Sequence, residues 1–249
     1  MSSVEDVVEI YEKETWEPNQ PTAFIGVPGP GLVGPIACMH IIDSLKLKQI
    51  ASVHTNLMPP VSLFHMGVLQ HPLRIYGSDD GKYLVITSEI SVPAESLFFI
   101  SRKIIEWLMS KGVKVLVTLD GASIKGKPEI VYGIAEEEIL NKLKEYKVIP
   151  LIKGYIGGMT GAIMNECIVR TEIDAFGLLA PLTVDEKIPD PKAAAMLIDK
   201  INHIFGLEIP IEKLLKEARM IEEKLRELAE KAKMVKEQEA RKPAGTYFV

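Results

Sequence analysis

Thr22-Ala-Phe-Ile-Gly-Val27 runs straight into Pro28-Gly-Pro-Gly-Leu-Val-Gly34, and Ile36 to Leu45 follows as an apolar stretch of helical character. A short apolar strand, a tight Gly/Pro turn and a helix make half of a crossover unit, which predicts a parallel or mixed sheet with helices packed on it. Gly29, Gly31 and Gly34 also have the G-x-G-x-x-G spacing at which a helix N-terminus can hold a phosphate. Three features weigh against a nucleotide there. Pro28, Pro30 and Pro35 remove N–H groups that would cradle an anion. No Lys-Ser or Lys-Thr pair follows, which excludes a P-loop. The acidic residue that meets a ribose about twenty residues on is missing, because Ile50 to His54 leads into Thr55 and Asn56. Close backbone packing around a rigid turn is the plainer reading.

Outward from that turn, strand-like and helix-like stretches alternate. Residues 1–20 are polar, with a short edge strand expected around Val7 to Tyr11. Apolar runs at Ile50 to Val53, Phe64 to Leu69 and Leu73 to Tyr76, punctuated by Pro59, Pro60 and Pro72, predict two or three strands. Tyr83 to Ser88 reads as a strong central strand. Glu95 to Lys111 is amphipathic, with Ile100, Ile104, Trp107 and Leu108 on one side, and Gly112 closes it. Val113 to Leu119 is a buried strand ending at Asp120 and Gly121, the carboxyl end where α/β proteins place ligands. A loop over Gly121 to Gly133, a charged helix over Ala135 to Tyr146 and a strand over Val148 to Ile152 follow. Gly154, Gly157, Gly158 and Gly161 crowd a turn before a helix over Ile163 to Val169, and Phe176 to Leu179 is a short strand. Asp190 caps a helix with Pro191 at its first position, running to about Phe205 with Gly206 as its stop. The expected fold is a three-layer α/β/α domain over residues 1–207, with a mixed or mostly parallel sheet.

Chain length and composition fit that outline. The 249 residues are 47% apolar and 25% charged with net charge −5, an ordinary globular balance. Basic and acidic residues interleave, so no nucleic-acid face is expected. Neither a signal peptide nor an uncharged membrane span is visible, and a cytoplasmic location is expected. Cys38 and Cys167 lie in apolar helical contexts and read as buried thiols in a reducing compartment.

Candidate catalytic groups are scattered. Glu89 and Asp120 each end a strand, Asp120 being the better placed. His40 sits inside an apolar helix as a satisfied side chain. His54, His65 and His71 do not match a local zinc spacing. Ser123 lacks a nucleophile elbow, and neither cysteine has an activating neighbour. No signature for nucleophilic, metal or phosphoryl chemistry rises above background, and neither metal nor cofactor is expected.

The other distinctive stretch is the C-terminal end. Ile211, Leu214, Ala218, Ile221, Leu225, Leu228, Ala232 and Val235 recur at alternating spacings of three and four over residues 208–242, a coiled-coil-like stripe on a long helix. With two alanines the stripe is narrow, so the helix is expected to pack on a neighbouring helix or on the body. Residues 243–249 carry Pro243 and Gly245, then Tyr247, Phe248 and Val249 beside the terminal carboxylate. That end reads either as a frayed terminus or as a peptide whose rings and carboxylate dock in a partner.

The block Phe24 to Gly34, the Gly154 to Gly161 turn before a helix, and the heptad tail ending in Tyr247-Phe248-Val249 together resemble the PAC2 family, in particular its archaeal homologues of proteasome assembly chaperones. The resemblance implies an α/β body similar to nucleoside-phosphorylase-like folds, without enzymatic activity. It implies a homo-oligomer, tetramer or pentamer, that projects C-terminal segments toward 20S proteasome α-subunits, with a related homologue as a further partner. Its function would be proteasome assembly or ATP-independent activation. The tails of proteasome activators end in a hydrophobic residue, a tyrosine and any residue. Tyr247 falls on the first position, Phe248 on the tyrosine and Val249 on the last, so the tyrosine hydroxyl is missing here. Two other readings stay open, a nucleoside-phosphorylase-like small-molecule enzyme and an oligomeric structural scaffold.

Overall fold

The computed structural model describes residues 8–124, 129–170 and 172–240, with side chains through 225 and at 227 in the last helix. Its strands are β1 (Val8–Glu12), β2 (Thr22–Gly26), β3 (Lys48–Thr55), β4 (Leu63–His65), β5 (Val68–Gln70), β6 (Leu73–Gly77), β7 (Tyr83–Ser88), β8 (Val115–Ala122), β9 (Tyr132–Ala135), β10 (Ile149–Pro150) and β11 (Asp174–Pro181). Its helices are α1 (Val33–Leu45), α2 (Leu97–Ser110), α3 (Glu137–Glu145), α4 (Gly158–Val169), α5 (Pro191–Phe205) and α6 (Glu212–Ala240).

Nine strands form one sheet in the order β1-β3-β6-β7-β2-β8-β11-β9-β10. The strand from the glycine block, β2, lies at its centre, parallel to β7 on one side and β8 on the other, and β8 is parallel to β11. Antiparallel pairs flank this core, from β7 out to β1 and between β11 and β9. The sheet is therefore mixed with a parallel centre. Alternation along the central strands divides the core. Phe24, Val85, Val117, Phe176 and Leu178 point to one face, where Ala37 and Ile41 of α1 and Leu197 and Ile201 of α5 cover them. Ala23, Ile25, Leu84, Ile86, Leu116 and Ala175 point to the other, under Ile100, Ile104 and Leu108 of α2 and Ile163 of α4. Two separately buried faces on one sheet make three layers.

Several element boundaries differ from those read in the sequence. The expected loop over Gly121 to Gly133 and helix from Ala135 enclose a strand, β9, because Gly133 packs its bare backbone on Val148 while Tyr132 to Ala135 pair antiparallel with β11. The strand expected over Val148 to Ile152 shrinks to two residues, and that over Phe176 to Leu179 grows to eight through pairing with β8. Helix α4 begins at Gly158 rather than Ile163. Low glycine propensity hid its first turn, yet a side chain at Gly161 would lie 2.2 Å from the Ile156 carbonyl. Helix α1 likewise begins at Val33, with Pro35 in the first turn where its missing N–H costs nothing.

The cap of α5 is as the sequence reads. Asp190 accepts from the Ala193 N–H at 2.9 Å, with Pro191 at the first helical position and Gly206 in the left-handed conformation at the end. Buried Asp190 also accepts from the Thr183 N–H at 2.6 Å and from its hydroxyl at 2.8 Å, so it joins β11 to α5. Removing it orphans three donors. Asp190→Ala is expected to lower stability by about 2–4 kcal/mol, read as a lower urea midpoint at unchanged slope.

Candidate functional site

The glycine block occupies the carboxyl end of the parallel strands, where α/β proteins place ligands, and the chain fills that place with itself. A methyl on Gly34 would sit 2.4 Å from the Leu119 carbonyl oxygen, one on Gly26 2.5 Å from that of Gly34, and one on Gly121 2.5 Å from that of Pro30. These distances hold the start of α1 in direct backbone contact with the ends of β2 and β8. Gly31 has φ of 63°, which glycine adopts without strain, and lies against Leu182 and Asp190. Its N–H donates to the Glu186 carbonyl at 2.7 Å and its carbonyl accepts from the Asp190 N–H at 2.8 Å. The Leu32 N–H donates to Gly29 at 3.1 Å. The Gly31 and Leu32 donors are thus engaged within the protein, as the close-packing reading expects.

Asp120 stands beside this knot. Its Oδ2 accepts from the Thr160 hydroxyl at 3.0 Å, and its Oδ1 accepts from the Gly121 N–H at 2.9 Å. Gly29 makes the room, since a methyl there would lie 2.5 Å from Oδ1. Burial pushes the carboxyl up to about 6, against the opposing pull of the Thr160 and Gly121 hydrogen bonds. Asp120 therefore ties β8 to the first turn of α4 through neutral donors only. Gly157 and Gly158, expected in that turn, sit at the amino end of α4, with open space where side chains would be.

A second set of contacts fixes the C-terminal helix. His40 is buried, and its Nε2 donates to the Pro210 carbonyl at 2.5 Å. Asn202 accepts from the Ile209 N–H at 2.9 Å and donates to the Ile209 carbonyl at 2.8 Å. Leu214 and Ala218 are buried, Ile211 packs partly against the same core, and Ile221 and Leu225 are half-buried. The Lys192–Glu222 pair at 3.8 Å adds a contact from α5. The stripe therefore lies on the body over its first turns. The side chains of Leu228, Ala232 and Val235, and the whole of Tyr247, Phe248 and Val249, lie outside the described residues.

Sequence reading missed Arg74, although a lone arginine between Leu73 and Ile75 in an apolar strand was its signal. It is 1% exposed, bonded to Gln70 and Glu89, with its guanidinium 5.9 Å from the centre of the Tyr76 ring. Glu89, weighed as a base, is thus the partner of a buried cation. Through Gln70 the same guanidinium grips the root of the β4–β5 hairpin.

The remaining candidates do not converge. Ser123 is exposed, His65 lies on the hairpin, and the His54 and His71 rings meet edge-on at 5.7 Å. Among the described residues no group of three or more His, Cys, Asp or Glu side chains could hold a metal, and no helix is long and apolar enough to cross a membrane. Both cysteines are free and buried. Burial raises the Cys38 thiol far above its ordinary value and pushes Cys167 up to about 12, so neither is a ready nucleophile.

This architecture of a mixed sheet, a glycine-locked first crossover and a long terminal helix has known counterparts. The PAC2 family model matches residues 23–229, and the chain belongs to the PAC2 family. The uncharacterized protein MJ0106 of Methanocaldococcus jannaschii is 36% identical over 226 residues, covering 90% of this chain and 92% of that one. Pyrococcus furiosus PbaA, described as an archaeal homolog of proteasome-assembly chaperone, superposes with a TM-score of 0.81 at 30% identity, over 95% of this chain and 97% of that one. Pyrococcus furiosus PbaB, described as an archaeal proteasome activator, shares the fold with a TM-score of 0.79 at 23% identity, over 90% and 99% of the two chains.

Two substitutions separate packing from charge at this end of the sheet. Gly34→Ala forces backbone apart and is expected to cost about 2–3 kcal/mol or more. Asp120→Asn should act oppositely. A carboxyl raised from 3.8 to about 6 by folding is bound more tightly by protons in the folded state, so its contribution is full below pH 4 and lost as pH rises through 6. At neutral pH the ionised group then costs up to about 3 kcal/mol. Asparagine removes that cost. Urea unfolding should find Asp120→Asn more stable than wild type at pH 7.5 and no more stable at pH 3.5.

Proposed function

We propose that this chain is a proteasome assembly chaperone or ATP-independent activator, a homo-oligomer that docks its C-terminal tails on the 20S α-ring. The observation that carries the reading is the mounting of α6. His40, Asn202, Leu214 and Ala218 fasten its beginning to the body, while its 29 residues continue for about 43 Å. A helix anchored at one end and long at the other is a spacer. What it carries is residues 243–249, with Tyr247 and Phe248 as rings to bury in a partner. Phe248 keeps the ring of the activator tyrosine without its hydroxyl, which favours docking over opening of a gate.

Affiliation with PbaA at 30% identity supports the same partner. Several tails on one assembly would reach a symmetric ring together, raising apparent affinity without any new contact. The upper stripe of α6, Leu225, Leu228, Ala232 and Val235, would then steady neighbouring tails within the assembly, being too narrow to hold protomers together by itself. With a partner of this kind the chain would work in the cytoplasm.

A second reading rests on Asp120. A carboxyl held near neutrality at the carboxyl end of parallel strands is what a nucleoside-phosphorylase-like enzyme would need as a general acid or base. The filled glycine knot next to it speaks against a phosphate cradle. Calorimetric titration with nucleosides and phosphate separates the two readings, since only the enzyme reading expects heat.

Deletion of residues 247–249 provides the direct test. The truncated chain should keep the wild-type circular dichroism and mass while its co-sedimentation with 20S proteasome falls by about a hundredfold. Undiminished co-sedimentation overturns tail docking. Loss of the oligomer with retained partner binding would overturn it too, in favour of a scaffold.

A further inference from the structure

Residues 56–73 contain no Asp, Glu, Lys or Arg, in a chain that is 25% charged. Such a stretch would be expected inside, yet most of it stands in solvent. β4 and β5 form a hairpin in the connection from β3 to β6 that pairs only with itself among the described strands. Phe64 is 74% exposed, Met66 90% and Leu69 75%. Phe64 and Leu69 are direct cross-strand partners, so their side chains share one face. Met66 and Gly67 close the loop with φ of 49° and 81°, and the two positive values are those of a tight hairpin turn. A left-handed methionine at the tip is costly and holds an apolar side chain outward. A two-stranded ribbon this short is not stable by itself in water, and depletion of charge marks the centre of a protein interface.

A matching cavity lies elsewhere on the molecule. Ile134, Ile139, Met164, Ile168, Ile173 and Ala175 line an apolar pocket of about 220 Å³ between β9, β11 and α4. Cavities of about 150 Å³ with such linings accept a benzene ring. This one therefore has space for one phenylalanine or methionine side chain. Of its lining, Ile168 is 58% exposed, and Val169, next to it in the chain, is 78% exposed. Glu136 and Asp174 are its only charged residues, and His65 is the only ionisable group on the hairpin strands.

The two features cannot meet within one protomer. The hairpin leaves the sheet where Leu73 pairs with Ser88, at the carboxyl end of the parallel strands. The pocket lies at their amino end, where Asp174 pairs with Val115. Four strand spacings, about 19 Å, also separate β6 from β11 across the sheet.

We infer that the β4–β5 hairpin of one protomer inserts its apolar tip into the β9–β11–α4 pocket of a second copy. The contact joins different surfaces, so it is heterologous and propagates from copy to copy until a ring closes. Arg74, through Gln70, sets the angle at which the hairpin leaves the body. The inference rests on the homo-oligomer of the proposed function and specifies the surfaces that build it.

Heterologous contacts allow a complementation test. Phe64→Asp spoils the hairpin and leaves the pocket, while Ile168→Glu spoils the pocket mouth and leaves the hairpin. Both positions are exposed, so the fold should survive, as thermal unfolding verifies. In light scattering each variant alone should be a monomer, with self-association weakened at least about tenfold. Mixed in equal amounts they should form a dimer that grows no further, because each pair has one intact contact and two spoiled ends. An independent measurement mixes Met66→Cys with Val169→Cys protomers, which should become disulfide-linked to one another under mild oxidation. An oligomeric wild type whose two variants keep its mass, a mixture that stays monomeric, or an absence of the cross-link each overturns the hairpin contact alone. A monomeric wild type overturns the homo-oligomer as well.

Discussion

The structure depends on a backbone contact that no side chain permits. At Gly26, Gly34 and Gly121 a single methyl would come within 2.6 Å of a neighbouring carbonyl oxygen, and at Gly29 it would strike the Asp120 carboxylate. These positions join β2, the turn after it, the start of α1 and the end of β8, which lie at the centre of the sheet. Because β2 is flanked by β7 and β8, both later in sequence, its crossover has to be compact before the flanking helices α1 and α2 can cover opposite faces. The glycines thus act on topology first. In a nucleotide-binding fold similar glycines make room for a ligand; here the space they leave is taken by the protein's own carbonyls and by one carboxylate.

From that centre the argument reaches the terminal helix through α1. His40 lies on α1 and donates to Pro210, two residues before α6 begins, while Asn202 on α5 holds Ile209 by both backbone groups. The linker between α5 and α6 is therefore clamped from two helices of the same layer. A clamp of hydrogen bonds to backbone fixes direction, whereas burial of Leu214 and Ala218 fixes depth. Whatever α6 carries is then held at a set angle to the sheet, and that mounting stands on a helix, α1, whose start is fixed by glycines near the beginning of the chain.

Much of this was legible in the sequence wherever one local signal determined one local structure. Val8–Glu12, Thr22–Gly26 and Tyr83–Ser88 are strands close to where short apolar runs placed them, and Asp190, Pro191 and Gly206 bound α5 as their chemistry dictates. The failures share another cause. Strand β9 and the first turn of α4 contain glycines at positions 133 and 161, whose propensities oppose the structure they adopt. Tertiary contact decided both, and contacts with Val148 and Ile156 are not visible in a local window. Asp120 was legible as a strand-end carboxylate, but its partner Thr160 lies forty residues away and was not. Arg74 was readable in principle, since a cation in an apolar strand must be paired when buried.

Arg74 and Asp120 are a pair of opposites. Each is a charged group withdrawn from water near the carboxyl ends of the parallel strands, yet their settings differ. Arg74 has the Glu89 carboxylate in contact, so its charge is matched and serves to pin the hairpin root to the end of β7. Asp120 has a hydroxyl and an amide, neither of which carries charge, and burial dominates them. Threonine 160 can donate to the ionised form and accept from the protonated one, so the link between β8 and α4 persists in both states while its strength changes. A structural tie alone would be served at neutral pH by an uncharged amide. The carboxyl at this position is the group in the glycine knot that packing alone does not explain, and it sits at the carboxyl end of the parallel strands, enclosed by Gly29, Gly121 and Thr160.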